Sequence, residues 1–222
     1  MLRYRLFYYR EAVLSGRIFL IRHGEVDWNA ANSYVGVTDA PLNDRGLEQA
    51  RRVAHFLKNR EIVRVFSSSR QRAFRTAATI AEQLGVEVET VREFDEMNYG
   101  VWEGVPETRV KQLHPELYAA WQVGSLDDRI PDGETLRELL ERAIPAFHRI
   151  ADAHRDECTA IVAHKSVNRL ILATILLMNP SHYRRILQGN ACVNEIELRA
   201  DGTYVVDSVN QQEHLGDLVQ AR

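Results

Sequence analysis

Short apolar segments alternate with longer amphipathic segments along this chain, and the alternation constrains the fold more than any other feature. The segment at 43–60 carries Leu47, Ala50, Val53 and Leu57 at the spacing of one helical face. Strands separated by helices form a largely parallel sheet covered by helices on both faces. We therefore expect an α/β fold with three layers and a mostly parallel central sheet. The apolar runs of strand length lie at 17–21, 62–66, 86–91 and 158–163.

Individual residues mark the boundaries of several predicted elements. Asn43 precedes the first long helical segment and is a predicted N-cap. Gly85 follows the second such segment and is expected to end that helix. Pro145 lies inside the third segment and should bend it. Two strand-like runs near the end of the chain are expected to pair through a turn at 201–202.

The domain organisation follows from the length and regularity of the chain. It has 222 residues, with neither an internal repeat nor a low-complexity linker. One domain spanning 1–222 is therefore the simplest prediction. Within that domain, residues 1–16 are expected to form an N-terminal extension before the first core strand. Residues 92–133 form a longer irregular insertion.

Composition argues against several classes of function. The formal net charge is −3, whereas surfaces that bind nucleic acids are strongly basic. No apolar run approaches the roughly 18 residues that span a bilayer, and the arginines near the N-terminus are unlike a secretory signal. The two cysteines, Cys158 and Cys192, are expected to be buried thiols rather than a disulfide framework. We therefore expect a cytoplasmic protein that binds neither nucleic acids nor membranes.

Polar residues directly follow three of the predicted strands. Arg22 and His23 come after the first apolar run, and His164 comes after the fourth. Arg72 lies in the first turn of the helix after the second run, where free N–H groups favour an anion. Since ligands gather at the carboxyl ends of parallel strands, these side chains could form a basic pocket for one phosphate. The structural alternatives are surface arginines, a capping imidazole and a hydrogen-bonded core histidine.

Acidic residues are concentrated at the start of the irregular insertion. A carboxylic acid that faces a phosphate pocket could give a proton to a departing oxygen. The alternative is that all of these residues are ordinary solvated acids of a loop, and their spacing does not choose among them. The four candidates are Glu93, Asp95, Glu96 and Glu103.

Five sequence motifs together resemble the histidine phosphatase superfamily. The resemblance is to the branch that includes cofactor-dependent phosphoglycerate mutases, fructose-2,6-bisphosphatase and many small phosphatases of broad specificity. It covers nearly the whole chain from Arg17 onward. In chain order, the motifs are "RHGEVDWN", "SSSRQRAFRTA", "DEMNYGVWEG", "PDGET" and "VAHKSVNRL".

The resemblance implies a role for each basic residue at the predicted pocket. His23 corresponds to the nucleophile that takes the phosphoryl group and becomes phosphohistidine. Arg22, Arg72 and His164 correspond to the clamp that stabilises charge on the oxygens of the transferring phosphoryl group. Asn29 corresponds to an additional donor to the same oxygens.

The resemblance also selects one acid among the four candidates. Glu96 lies four residues before Gly100 and matches the residue that protonates the leaving alkoxide. It would then help to activate the water that hydrolyses phosphohistidine. The chemistry implied needs neither a metal nor a cofactor, and the eight histidines show no spacing typical of metal ligands.

The chain departs from the family pattern at two positions beside the motifs. Val26 replaces a common Thr or Ser, and Lys165 replaces a common Gly. The sequence gives no basis for a role of Lys165, which could lie at the rim of the pocket or point away. His214 is expected to be structural.

We expect the insertion at 92–133 to act as a substrate lid, with Trp102, Tyr118 and Trp121 either forming its walls or packing in the core.

The activity implied by the resemblance is hydrolysis of a phosphomonoester on a small phosphorylated metabolite. One alternative is phosphoryl transfer of the phosphoglycerate mutase type, which requires extra segments that exclude water. The chain is short for that task, so hydrolysis is the favoured prediction. A second alternative is a phosphate-binding module without catalysis. The oligomeric state is open, with a homodimer as the commonest assembly of soluble proteins.

Overall fold

A computed structural model describes residues 16–219 of the chain, so the predicted N-terminal extension lies outside the described residues except for Gly16. The centre of the fold is one sheet of six strands in the order β3-β2-β4-β1-β5-β6. The strands β1 to β4 are parallel to one another, β5 is antiparallel to β1, and β6 is antiparallel to β5. In chain order the strands are Gly16–Arg22, Ile62–Ser67, Val88–Thr90, Cys158–Ala163, Val193–Leu198 and Tyr204–Gln211.

Helices separate the strands as the alternation of segments predicts. The described part of the chain also contains four short 3₁₀ helices, at Arg92–Phe94, Gly100–Trp102, Pro180–Arg185 and Glu213–Leu218. The α-helices α1 to α7 are Asp27–Ala30, Asp44–Leu57, Gln71–Leu84, Glu107–Leu113, Pro115–Val123, Leu136–Ala153 and Lys165–Ile175.

The two faces of the sheet are covered by different helices. Successive side chains of a strand point to opposite faces. On β1, Ile18 and Leu20 pack in one apolar cluster with residues of α6 and α7. Phe19 and Ile21 pack in a second cluster with residues of α2 and α3. The prediction of a three-layer α/β fold with a mostly parallel central sheet is therefore confirmed.

The boundary signals in the sequence are also found in the structure. The side chain of Asn43 accepts a hydrogen bond of 2.8 Å from the backbone N–H of Gly46 at the start of α2. Gly85 ends α3 in the left-handed region, with a φ of 70°. The strands β5 and β6 pair as an antiparallel hairpin around Gly202. The helix α6 continues through Pro145 without a break, and a bend at that residue stays a prediction.

The cysteines differ from the prediction in one respect. Cys192 is a buried free thiol, as expected. Cys158 is also a free thiol, but it is only half-buried because it begins β4 at the rim of the sheet. Within residues 16–219, no helix has both the length and the apolar character needed to cross a membrane.

Three adjacent strands bring their following residues to one edge of the sheet. The strand β4 lies between β2 and β1, and all three run in the same direction. In the registers, Arg22 lies beside Ala163, and Ser67 lies beside Val162. Residues that follow these strands, including His23, Ser68 and His164, therefore gather at one place.

A close backbone contact fixes the segment after β1 against the start of α2. A Cβ atom on Gly24 would lie 2.4 Å from the carbonyl oxygen of Gly46. A Cβ atom on Gly46 would lie 2.1 Å from the carbonyl oxygen of Glu25. Real side chains do not approach backbone atoms so closely, so both positions require glycine. The contact holds the residue after His23 in place.

We predict that Gly46→Ala lowers the free energy of unfolding by about 1–3 kcal/mol, because the added methyl group collides with backbone that cannot shift without moving β1 or α2. Urea denaturation followed by circular dichroism measures this change. Arg51→Ala, at an exposed position of the same helix, is the control and should leave the free energy nearly unchanged. Equal stability of Gly46→Ala and wild type would contradict the close contact.

Candidate active site

A cavity of about 330 Å³ opens at the carboxyl edge of the sheet, beside the ends of β1 and β4. Arg22, His23, Asn29 and Glu96 all contribute to its lining. Four of the residues chosen from the sequence are therefore brought together at one place. Arg72 and His164 are fully buried and are not part of the lining surface.

His23 lies at the cavity with one ring nitrogen fixed by the backbone. Its Nδ1 lies 2.6 Å from the carbonyl oxygen of Gly24. A carbonyl oxygen only accepts hydrogen bonds, so Nδ1 carries the proton and Nε2 carries the lone pair. Burial and the positive charges of Arg72 and Arg22 hold the pKa of His23 well below its ordinary value. The ring is therefore a neutral imidazole with Nε2 available as a nucleophile.

His164 packs against His23 and is fixed by a serine. The two rings meet edge to face, with their centroids 5.0 Å apart. The Nε2 atom of His164 lies 2.7 Å from Oγ of Ser68, and that hydroxyl donates to Asp95. Because the hydroxyl proton is directed to the carboxylate, Nε2 of His164 donates to Ser68. The remaining nitrogen, Nδ1, is buried and has no hydrogen-bond partner among the described residues.

Two buried arginines lie next to the histidines, and backbone carbonyls hold both. Arg22 donates to the carbonyl oxygen of Gln188 at 2.8 Å. Arg72 donates to the carbonyl oxygens of Thr38 at 2.9 Å and Gly36 at 2.6 Å. Burial lowers the pKa of Arg22 to about 10 and also lowers the pKa of Arg72, yet both stay charged at neutral pH. Because a carbonyl oxygen carries only a partial negative charge, these hydrogen bonds do not fully compensate the positive charge of either arginine.

Glu96 is the candidate acid that reaches the cavity. It is buried, and its carboxyl group accepts hydrogen bonds from the backbone N–H groups of Met97 at 2.9 Å and Ser166 at 3.1 Å. Burial raises the pKa of Glu96, because the charged form is removed from water, although those N–H groups and Arg72 oppose the shift. A raised pKa favours the protonated form that can donate to a leaving group.

The other three candidate acids have structural partners elsewhere. Glu93 forms an ion pair with Arg149 on the surface. Asp95 forms an ion pair with Arg70 at 3.0 Å and accepts hydrogen bonds from two serines. The structure thus separates four acids that their spacing in the sequence could not rank. The fourth, Glu103, accepts hydrogen bonds from backbone N–H groups.

Glu103 anchors the loop that holds Arg72. Its two oxygens accept the backbone N–H groups of Gly36, Val37 and Thr38 at 3.0 to 3.2 Å, and of Tyr99 at 3.2 Å. The carbonyl oxygens of the same loop accept the two hydrogen bonds from Arg72. Sequence reasoning considered Glu103 as a proton donor or as an ordinary solvated acid of a loop. No local signal in the sequence indicated this anchor, because three of the four bound N–H groups lie 65 to 67 residues away in the chain.

A set of buried amides supports the cavity from the side of β5. Asn190 donates to the carbonyl oxygen of His23 at 3.3 Å and to Oδ1 of Asn29 at 3.0 Å. Gln188 and Asn194 donate hydrogen bonds to each other. Asn29 is thereby oriented at the cavity, and its role as a phosphate donor stays a prediction. Sequence reasoning missed these amides, whose signal was a polar run, "QGN", before an apolar strand.

The aromatic residues of the insertion divide between core and cavity. Trp102 is completely buried in the larger apolar cluster. Trp121 lines the cavity, and Tyr118 donates to Glu107 beside it. Lys165, left without a role by the sequence, also lines the cavity. His214 stacks on Phe56 with ring centroids 4.9 Å apart, away from the cavity lining, as expected for a structural residue.

Comparisons with known proteins agree with the geometry. The model of the histidine phosphatase superfamily (branch 1) matches residues 18–211. Phosphoglycerate mutase-like protein 4 of Arabidopsis thaliana is 40% identical over 162 residues, covering 72% of this chain and 70% of that protein. Metal-independent phosphoserine phosphatase of the same plant is 35% identical over 204 residues, covering 90% and 84%. The structure of YhfR from Bacillus stearothermophilus superposes with a TM-score of 0.83 at 26% identity, covering 90% and 99%.

We predict that Glu103→Gln weakens the loop at 36–38 and the hold on Arg72. An amide replaces one acceptor oxygen by a donor that faces backbone N–H groups, so at least one hydrogen bond is lost and one repulsive contact forms. The free energy of unfolding should fall by about 1–3 kcal/mol. Hydrogen exchange at the amides of 36–38 should become faster, as measured by mass spectrometry.

Glu93→Gln is the matched control for this change. Glu93 lies in the same insertion, and its partner Arg149 is exposed. Exposed ion pairs contribute little to stability, so this variant should resemble wild type in both measurements. Protection of the 36–38 amides that is the same in both variants would argue against the anchoring role of Glu103.

Proposed function

This chain belongs to the histidine phosphatase superfamily, and we propose that it hydrolyses a small phosphomonoester through a phosphohistidine formed on His23. One observation carries the proposal. The neutral His23 and the buried acid Glu96 line the same cavity, next to the guanidinium of Arg22. A nucleophile, a proton donor and a cation around one small space are what transfer of a phosphoryl group requires.

The first step forms the phosphoenzyme. The lone pair on Nε2 of His23 attacks phosphorus while the bond from phosphorus to the ester oxygen breaks. The departing oxygen takes the proton of Glu96, which becomes a carboxylate. The hydrogen bond from Nδ1 to the carbonyl of Gly24 keeps the ring in the correct tautomer and stabilises the positive charge that develops on it.

The cations stabilise the charge on the transferring group. Arg22 and Arg72 retain N–H groups beyond those held by carbonyls, and their Nε atoms have no partner among the described residues. We assign them to the phosphoryl oxygens, together with His164. A bound phosphate near His164 would favour its protonated form, in which Nδ1 becomes a donor.

The second step releases phosphate. The Glu96 carboxylate accepts a proton from a water molecule as the water oxygen attacks phosphorus. The bond between phosphorus and Nε2 breaks, and its electron pair returns to the imidazole. Glu96 is then protonated again and His23 is neutral. The cycle consumes one water and needs no metal, and no group of His, Cys, Asp and Glu side chains able to hold a metal occurs within residues 16–219.

The size of the cavity supports a small substrate. Cavities for small ligands span roughly 300–1,000 Å³, and this one, at about 330 Å³, lies at the lower end of that range. The relative named as a phosphoserine phosphatase acts on such a molecule. The two free thiols are consistent with a reducing, cytoplasmic location. A homodimer stays a prediction.

Mutase chemistry is the second candidate, because a relative is named phosphoglycerate mutase-like. A mutase would return the phosphoryl group from His23 to an acceptor alcohol instead of water. Its signature is interconversion of phosphoglycerates that depends on a bisphosphate primer. Phosphate release without such a primer supports hydrolysis, and primed interconversion without phosphate release would contradict it.

We predict that the protein releases phosphate from p-nitrophenyl phosphate in the presence of a metal chelator and that His23→Ala abolishes this activity. The alanine has no lone pair to accept the phosphoryl group. Brief mixing with ³²P-labelled substrate and rapid denaturation should trap label on His23 of the wild type. Label on any other residue would contradict the scheme.

We predict that Glu96→Gln slows hydrolysis of an alkyl phosphate by about 10²–10⁴-fold, since a positioned acid contributes about that factor. With p-nitrophenyl phosphate the loss should be far smaller, because its leaving group needs little protonation. The wild type should lose activity toward the alkyl ester as pH rises through the raised pKa of Glu96, and the variant should lack this dependence. Equal losses with both substrates would argue against the role of Glu96.

A further inference from the structure

The outer part of the cavity holds cations that the proposed reaction does not use. Lys165 and Arg169 lie one turn apart on α7, and Arg184 lies in the 3₁₀ turn at Pro180–Arg185. All three line the cavity that contains His23. The phosphoryl group is assigned to Arg22, Arg72 and His164, so this second set of charges requires a separate explanation.

The cations of this outer part repel one another and the arginine beside His23. Partial removal of its ammonium from water, with smaller contributions from repulsion by Arg22 and Arg169, lowers the pKa of Lys165 to about 8. The charge of Arg184 in turn opposes the charge of Arg169. Like charges held near each other destabilise the protein unless an anion compensates them.

The described carboxylates compensate these charges only in part, since Glu96 and Glu107 attract the ammonium of Lys165 without forming an ion pair with it. Among the described residues, none of the three cations forms an ion pair with a carboxylate. Glu107 lines the same cavity, but Lys111 lies 2.9 Å from its Oε1, and the hydroxyl of Tyr118 donates to that atom. Glu96 is the other acid in the lining, and its proposed function requires it to be protonated.

Two of the cations have fixed positions. Arg169 donates from Nε to the carbonyl oxygen of Ile186 at 2.7 Å, which leaves its terminal nitrogens for another acceptor. The guanidinium of Arg184 stacks on Trp121 at 3.6 Å from the ring centroid, and its Nη1 is buried with no hydrogen-bond partner among the described residues. A buried donor without a partner costs free energy, so a ligand acceptor at this position would be favourable.

We propose that the substrate carries a second anionic group, a carboxylate or a further phosphate, and that Lys165, Arg169 and Arg184 bind it. This inference rests on the proposed function, because it takes the first anionic group to be the phosphoryl group at His23. A planar guanidinium offers two parallel N–H groups to either kind of anion. Lys165, whose side chain keeps some contact with solvent, adds a third positive charge.

Pairs of substrates that differ in one charged group test the proposal. For a carboxylate, 3-phosphoglycerate is compared with glycerol 3-phosphate. For a second phosphate, fructose 1,6-bisphosphate is compared with fructose 6-phosphate. In at least one pair, the substrate with the extra anion should have a kcat/KM about tenfold higher or more, since hydrogen bonds to charged groups contribute at about that level.

Variants of the cations identify the residues responsible. Lys165→Gln and Arg184→Gln should each reduce the preference for the doubly anionic substrate by about three- to tenfold. Arg185→Gln is the matched control, because Arg185 adjoins Arg184 but is exposed and does not line the cavity. Its preference should equal that of the wild type. Lys165→Gln keeps the test valid if Arg184→Gln does not fold, since the lysine side chain lies at the cavity mouth.

The outcomes separate this inference from the proposed function. Preference in the first pair alone identifies a carboxylate, and preference in the second pair alone identifies a phosphate. Hydrolysis of p-nitrophenyl phosphate with no preference in either pair would overturn the inference and leave the proposed function standing. A preference that persists in both cation variants would also overturn it. Failure to hydrolyse p-nitrophenyl phosphate would overturn both.

Discussion

The structure depends on burying two guanidinium groups without giving them carboxylate partners. Arg22 and Arg72 are held by backbone carbonyl oxygens, which orient a cation but carry only partial charges. Removing a charged group from water is costly, and a resident carboxylate would have compensated that cost more fully. Guanidinium groups bound to carbonyl oxygens are less stable than guanidinium groups paired with carboxylates. Their positive charge, however, stays available to bind a ligand. The close backbone contacts and the anchored loop around the cavity serve to maintain this arrangement.

The same environment sets the protonation of His23 and Glu96, which we propose as the nucleophile and the proton donor. Burial disfavours the charged form of both, so it lowers the pKa of His23 and raises the pKa of Glu96. The neighbouring arginines lower the pKa of His23 further, and they oppose the rise in the pKa of Glu96. Each shift favours the uncharged form, which is the imidazole of His23 and the carboxylic acid of Glu96. Two titratable groups whose pKa values are shifted in opposite directions are typical of sites of acid–base catalysis.

Much of this could be predicted from the sequence, because strand and helix patterns and the motifs at strand ends are local signals. The three-layer fold, the N-cap at Asn43 and the gathering of His23, Arg22 and Glu96 at one sheet edge are examples. Contacts between distant segments could not be predicted. Nothing near Glu103 in the chain indicates that its carboxylate binds the backbone at 36–38, and the partner of Arg22 is a carbonyl 166 residues away. Periodicity also could not separate Trp102, a core residue, from Trp121, a cavity residue.

The position of β1 has a consequence for how the enzyme matures. This strand is the first of the described strands to be made, yet its two neighbours in the sheet, β4 and β5, follow more than 130 residues later along the chain, after β2 and β3. The ribosome therefore releases His23, which follows β1, long before the strands on either side of β1 emerge. Pairing between strands that are far apart in the sequence slows folding. The apolar strand β1 stays exposed until β4 and β5 are available to pair with it. The sheet edge around His23 is complete only after β4 and β5 have emerged, and chaperones that shield extended apolar segments have most to do before that point.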